Sequence, residues 1–297
     1  MPIPESSTAR RLPRFLLRRT LLAGSALLAL TGCSGATLLN AVVSSGGYRL
    51  DRGRAYGPDP QQLLDVYVPR AAGAGTRTTV VFVHGGRWES GDRGMYKFAA
   101  EALASRGWVA VIPDYRKYPA VRWPVFVEDC ADATQWAALH AAEWGGDRSK
   151  VVLMGHSAGA HIAALLALDP RYASRMPALP RPAGVVGLAG PYDFLPLTDA
   201  DLQDMFATAA DLRDTQPIHH VHAGTAPMLL LHGEADDTVK PRNTHRLAAA
   251  LRAVGVPVQE QIYADVDHLR LVAALAWPFR SRYPVLDDIG HFIAGLA

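Results

Sequence analysis

The stretch from Val151 to Leu168, VVLMGHSAGAHIAALLAL, decides how the chain is read. An apolar run reaches Gly155-His156-Ser157-Ala158-Gly159, and a second apolar run with a different rhythm follows. Strand, tight turn with a serine at its apex, then helix is the setting of a nucleophile elbow. The serine of an elbow sits in a strained conformation, so its neighbours must be small. Gly155 and Gly159 let strand and helix pass close beneath it. The following helix adds positive potential near Oγ and lets the Ala158 N–H point into the same space. The competing reading is an ordinary glycine-flanked bend, and the rest of the chain has to separate the two.

Outward from the elbow, strand-like and helix-like segments alternate. LDVYVP (64–69), TTVVFVHGG (78–86), WVAVIPDYR (108–116), KVVLMG (150–155), AGVVGLAG (183–190), APMLLLHG (226–233) and VQEQIYA (258–264) read as strands. MYKFAAEALASRG (95–107), FVEDCADATQWAALHAAEW (126–144), the run from Ser157, PRNTHRLAAALRAVG (241–255) and VLDDIGHFIAGLA (285–297) read as helices. Most of the strands are continuous apolar runs, the pattern of a largely parallel sheet covered on both faces. The class is therefore α/β: a mostly parallel central sheet flanked by helices. In such sheets sites form at the carboxyl ends of the strands.

Three further strand ends carry chemistry. After TTVVFV comes His84-Gly85-Gly86-Arg87-Trp88, a glycine-rich turn able to turn backbone N–H groups toward a developing oxyanion. After APMLLL comes HGEADDTV (232–239), where Asp236 and Asp237 both stand where a carboxylate would orient a histidine. After VQEQIYA comes Asp265-Val266-Asp267-His268, and His268 is placed to act as general base. The chain order is serine, aspartate, histidine. A plain turn at 84–88 and a solvated acidic turn at 234–237 are the bland alternatives; four signals at four strand ends in this order outweigh them.

These residues resemble the α/β-hydrolase superfamily, in its branch of bacterial carboxylesterases and kynurenine-formamidase-like enzymes. HGGRW (84–88), DYRKYP (114–119), GHSAGAH (155–161), LAGPYDF (188–194) and HGEADDTV (232–239) carry the resemblance, which covers roughly residue 60 to the end. It implies an α/β-hydrolase fold with a small cap or lid insertion. It also implies a serine hydrolase of small esters with Ser157, Asp236 and His268 as triad. Gly86, Arg87 and Ala158 would form the oxyanion hole, supported by His84, Gly85, Trp88, Gly155 and Gly159. The family's pattern at the acid, His-Gly-x-x-Asp-x-x-Val, selects Asp236 over Asp237. Its histidine is often preceded by Gly-x-Gly, where this chain has Asp265 and Asp267. Chemistry of this kind needs neither a metal nor an organic cofactor. The rival with the same machinery is an arylformamidase acting on N-formylkynurenine. A rival of another class is a non-catalytic binding lipoprotein on this scaffold.

The chain has 297 residues and a formal net charge of +2. Its beginning is distinct. Five arginines between Arg10 and Arg19 precede an apolar run from Leu21 to Leu30, and Leu30-Thr31-Gly32-Cys33 follows. A basic start, a short apolar core and small residues before a cut mark a secretory signal. The last four residues resemble a bacterial lipobox, which implies cleavage before Cys33 and its acylation, and Arg18-Arg19 resembles a twin-arginine signal. The expected division is a signal peptide over 1–32, a tether and lead-in segment over 33–60, and a catalytic domain over 61–297. The expected location is the bacterial envelope, with the chain anchored in a membrane. Without the leader, 25 basic residues face 27 acidic ones, so the positive charge gives no argument for nucleic acid.

Other residues receive structural readings. With Cys33 acylated, Cys130 is left alone on a helix as a small core residue. His156 and His161 flank the elbow, and His161 reads as a hydrogen-bonded structural residue. HHVH (219–222) lacks a carboxylate or cysteine set at ligand spacing. His245 and His291 read as surface positions without partners. The insertion at 191–217 offers Phe194, Leu195, Leu197, Met205 and Phe206 either to a pocket wall or to cap packing, and Trp88 is equally open between pocket and core.

Overall fold

The computed structural model describes Met1 and residues 32–71, 76–179, 181–277 and 279–296. The expected leader lies almost wholly outside the described residues, and so does the Cys33 side chain. Eight strands form one sheet in the order β1-β2-β4-β3-β5-β6-β7-β8. They are β1 (Tyr48–Ala55), β2 (Leu63–Pro69), β3 (Arg77–Val83), β4 (Val109–Pro113), β5 (Gly146–His156), β6 (Gly184–Leu188), β7 (Met228–Gly233) and β8 (Val258–Tyr263). The β1–β2 and β2–β4 pairs are antiparallel, and all pairs from β4 through β8 are parallel.

The continuous apolar strands are buried on both faces. Along β3, Val81 and Val83 belong to one core, while Val80 and Phe82 belong to the other. The first core is closed by α3 (Val125–His140), α4 (Ala158–Leu168), α5 (Pro170–Arg175) and α7 (Arg242–Ala253). The second is closed by α2 (Lys97–Ser105), α8 (His268–Ala273) and α9 (Val285–Ala294). Helix α7 shows the sequence logic plainly: Asn243, Thr244, Leu247, Ala248 and Leu251 make its buried stripe. Helix α4 has no polar face, because sheet, α3, α5 and the insertion enclose it; only Ala167 escapes full burial.

Register brings the site together. Val83 pairs with Gly155, so the turn after β3 lies beside the elbow after β5. Gly233 pairs with Tyr263, so the loops after β7 and β8 leave the sheet side by side. Parallel pairing puts all four loops on one edge.

The segment 33–60 differs from the tether read from its composition. Helix α1 (Gly32–Ala41) and strand β1 occupy much of it. Asn40 fixes the helix to the body: its Nδ2 donates to the Gly94 and Met95 carbonyls, and its Oδ1 accepts from Phe98 N. Leu39 and Val43 pack on the second core. Composition missed this because the edge strand β1 is half-buried or exposed at every position after Tyr48 and carries arginines.

The insertion contains α6 (Ala200–Met205) and is held by cap packing. Met205 and Phe206 are fully buried. Phe206 stands edge-on to Trp88 at 5.3 Å and to Phe126 at 5.9 Å between ring centroids. Leu195, Leu197 and Leu212 wall an apolar groove of about 690 Å³, to which Phe206 also contributes. Phe206→Ala is expected to destabilise the chain by about 3–5 kcal/mol, through lost burial and the cavity left behind. The shift in denaturant midpoint measures it.

Candidate active site

The elbow begins where β5 ends. Ser157 has φ 56° and ψ −122°, a backbone that L side chains rarely adopt. Its N–H donates to the Leu188 carbonyl at 2.8 Å, and its carbonyl accepts from Ala160 and His161. The two glycines are there for closeness. A Cβ on Gly159 would lie 2.0 Å from the Val83 carbonyl oxygen, and one on Gly155 would lie 2.2 Å from the Gly159 oxygen. Ala158 opens α4, so its N–H has no partner in the helix ladder.

The turn after β3 lies against this elbow. Gly86, Arg87 and Trp88 all have positive φ, at 130°, 55° and 59°. The Gly86 carbonyl closes the turn by accepting from Glu89 N, Ser90 N and Ser90 Oγ. His84 is fully buried, donates Nδ1–H to the Gly85 carbonyl at 2.8 Å and stacks on Tyr115. The DYRKYP segment buttresses the same turn. Asp114 faces His84 at 3.6 Å and binds Arg93, and Tyr118 N donates to the Trp88 carbonyl. Burial works against ionisation of Asp114, but the adjacent His84 ring and the bond from the Arg93 backbone hold its carboxyl below the ordinary range. The Arg87 side chain points away to Asp199 of the insertion. Trp88 is core, within ring contact of Phe126, His161, Phe194 and Phe206.

Asp236 and His268 meet across the β7 and β8 loops. His268 Nδ1–H donates to Asp236 Oδ2 at 2.7 Å, which leaves Nε2 free of that bond. Asp236 Oδ1 accepts from Thr238 N and Val239 N, so the carboxylate is fixed from both sides. Asp237, the other candidate acid, lies exposed and pairs with Lys240. Burial opposes ionisation of Asp236, yet hydrogen bonds from His232 and His268 outweigh it and hold the carboxyl well below the usual range. His268 sits beside the elbow: its carbonyl lies 3.1 Å from His156 Nε2, and the two rings are 4.7 Å apart.

The acidic lead-in to His268 has a backbone explanation. Asp265 takes φ 57°, a left-handed position that glycine favours and aspartate tolerates. Asp267 is extended and caps α8, accepting from Leu269 N and Arg270 N, with Arg270 beside it. Both residues therefore serve the loop.

Sequence reasoning passed over three contributors. His232 Nε2 lies 3.2 Å from Asp236 Oδ2 and 2.8 Å from the Val239 carbonyl, while its Nδ1 meets Thr244 Oγ1. Tyr96 and His156 join separate loops. The Tyr96 and His156 pairings span loops that only the fold brings together, whereas His232 and Asp236 stand four positions apart inside the HGEADDTV motif. His161 bonds the Thr215 carbonyl through Nε2, and burial pushes it down to about 4, so it is neutral. His220 bonds the Asp214 carbonyl. His245 differs from its sequence reading as a residue without a partner, since its Nδ1 lies 2.6 Å from Glu260. Cys130 is buried, and burial pushes its thiol well up. Among the described residues no group of three or more His, Cys, Asp or Glu side chains is arranged to hold a metal ion.

Comparison with known proteins gives a consistent set of likenesses. Residues 64–251 match the family model BD-FAE. Esterase LipC of Mycobacterium tuberculosis is 32% identical over 218 residues, 67% of this chain and 54% of the relative. Esterase LipQ of the same organism is 30% identical over 257 residues, 80% of this chain and 60% of the relative. The chain thus spans little more than half the length of these curated relatives. Among solved structures, a truncated carbohydrate esterase from gut microbiota superposes with a TM-score of 0.73 at 15% identity, covering 85% of this chain and 98% of that one. The apo form of Thermogutta terrifontis esterase 2 gives 0.70 at 24% identity, covering 86% and 96%. At these identities the structures show the fold.

Two outcomes follow from the geometry. Gly159→Ala is expected to destabilise the chain by about 1–3 kcal/mol, because backbone rather than a flexible side chain must yield; thermal melting reads it. A carboxyl held below its ordinary range stabilises the folded state above that range, and the benefit fades as pH falls through it. The melting-temperature advantage of the native chain over Asp236→Asn is therefore expected to be full at neutral pH and to shrink below about pH 4. An advantage that grows on acidification contradicts this.

Proposed function

The chain belongs to the BD-FAE family and has the α/β-hydrolase fold, and from that premise we propose that it is a serine carboxylic-ester hydrolase. The observation that carries the reading is the His268–Asp236 bond of 2.7 Å beside a serine held in a left-handed elbow. The names of the relatives, esterases LipC and LipQ, point the same way.

In this reading Ser157 Oγ attacks the ester carbonyl, and its proton passes to His268 Nε2. The carbonyl oxygen takes up negative charge, which backbone N–H groups of Gly86, Arg87 and Ala158 stabilise. His268 becomes cationic, and the ionised Asp236 on its Nδ1 side holds ring and tautomer in place. Collapse of the tetrahedral species breaks the bond to the alcohol, which leaves with the proton from His268. A water then gives its proton to His268 and attacks the acyl-enzyme, releasing the carboxylic acid and restoring Ser157.

We propose further that residues 1–32 direct export and that acylated Cys33 anchors the enzyme to a membrane of the bacterial envelope. The motif Leu30-Thr31-Gly32-Cys33 after a basic and apolar leader supports this. A mature N-terminal mass showing lipid on Cys33 is the expected result; an unmodified Cys33 overturns it.

Ser157→Ala is expected to lower kcat for p-nitrophenyl butyrate at least 10³-fold, an order-of-magnitude figure for a triad nucleophile, with the melting temperature retained. The native chain, not the variant, is expected to label with a fluorophosphonate. A panel of esters graded in acyl and alcohol size, run beside N-formylkynurenine, defines the substrate class. Faster turnover of the formamide than of every ester replaces the ester reading.

A further inference from the structure

Two side chains that the proposed reaction does not use join three of the four loops that it does. Gly85 N–H, in the oxyanion turn, donates to Tyr96 Oη at 3.2 Å. Tyr96 Oη lies 3.2 Å from His156 Nδ1, in the elbow. His156 Nε2 lies 3.1 Å from the carbonyl oxygen of His268. The proton positions follow from the ends. A carbonyl only accepts, so His156 carries its proton on Nε2. Its Nδ1 is then the acceptor for the Tyr96 hydroxyl, whose oxygen keeps a lone pair for Gly85 N–H. Every donor and acceptor in the chain has one assignment.

That assignment requires a neutral imidazole and a neutral phenol. Burial pushes His156 down to about 3, and the neighbouring His268 pushes the same way. Burial pushes the Tyr96 hydroxyl up to about 12 against the opposing bond from Gly85. The neutrality of His156 suits the reaction: His268 must take a proton with the His156 ring only 4.7 Å from its own, and a cation there would oppose it.

The fold leaves room for this chain and little else. A Cβ at Gly85 would stand 2.9 Å from the His156 carbonyl oxygen and 3.1 Å from both His156 Nδ1 and Tyr96 Oη. The turn that carries Tyr96 is clamped by Asn40 through the Gly94 and Met95 carbonyls and Phe98 N.

Resting on the ester-hydrolase reading, we infer that Tyr96 and His156 are positioning residues that hold the oxyanion turn and the His268 loop in register across the elbow. Neither touches the reacting atoms. Their effect is on where the His268 backbone and the Gly85–Arg87 turn sit relative to Ser157.

The test uses the full chain and p-nitrophenyl butyrate, with fluorophosphonate labelling to count intact sites and melting temperature to follow folding. Tyr96→Phe removes the hydroxyl alone. It is expected to lower kcat per labelled site on the order of tenfold, with KM within about twofold, as misplacement of catalytic groups should. His156→Leu is expected to do the same. The double variant is expected to be no worse than His156→Leu, because both changes break one chain. His156→Gln keeps an amide that can donate to the His268 carbonyl and is expected to recover part of kcat. Three results overturn the inference: an unchanged kcat in Tyr96→Phe, losses that multiply in the double variant, or losses that follow the fall in melting temperature with no recovery in His156→Gln. A native chain without ester activity overturns the ester reading and this role with it; an active native chain with an indifferent Tyr96→Phe overturns this role alone.

Discussion

The backbone of α4 lies so close to the end of β3 that one methyl group would not fit between them. Gly159 faces the Val83 carbonyl with no space for a Cβ, and Gly155 faces Gly159 in the same way. This approach forces the sharp reversal at Ser157 and its left-handed backbone. It also sets the distance between the elbow and the turn at 84–88. The apolar enclosure of α4 on every side then makes the strained position tolerable, since a packed helix cannot shift to relax it.

Around that constraint the histidines take different parts according to what touches them. His268 meets a carboxylate on one nitrogen and keeps the other free of it. His156 is locked by a carbonyl and a phenol, and His161 by a carbonyl alone. His232 shares Asp236 Oδ2 with His268. The residue type is one; burial and partners decide whether the ring is kept neutral as a brace or left able to gain charge. Asp236 draws on two of them at once, which is why its carboxyl stays ionised despite being buried.

Much of the fold was legible because parallel strands buried on both faces write themselves as apolar runs, and because strand-end motifs are local. The elbow at 155–159 and the acid at 236 are patterns of five to eight neighbouring residues, readable without tertiary knowledge. What escaped were features made by partners far apart in sequence. Strand β1 carries Arg49, Arg52 and Arg54 and looks like loop until β2 pairs with it. Tyr96 is sixty positions from His156, and His156 is more than a hundred from His268. Asp265 and Asp267 stand where glycines often precede the histidine, and their work is conformational: one bends the loop and the other caps α8.

Helix α1 has a consequence for reach. Under the proposed anchoring, the acylated residue stands at the very start of a helix that is pinned by Asn40 to the body of the enzyme. A ten-residue helix is roughly 15 Å long. The lipid would therefore join the enzyme through a helix held against its body rather than through a slack leash. The same pinned helix ends against the turn that carries Tyr96, so the proposed anchor and the brace across the elbow share one support.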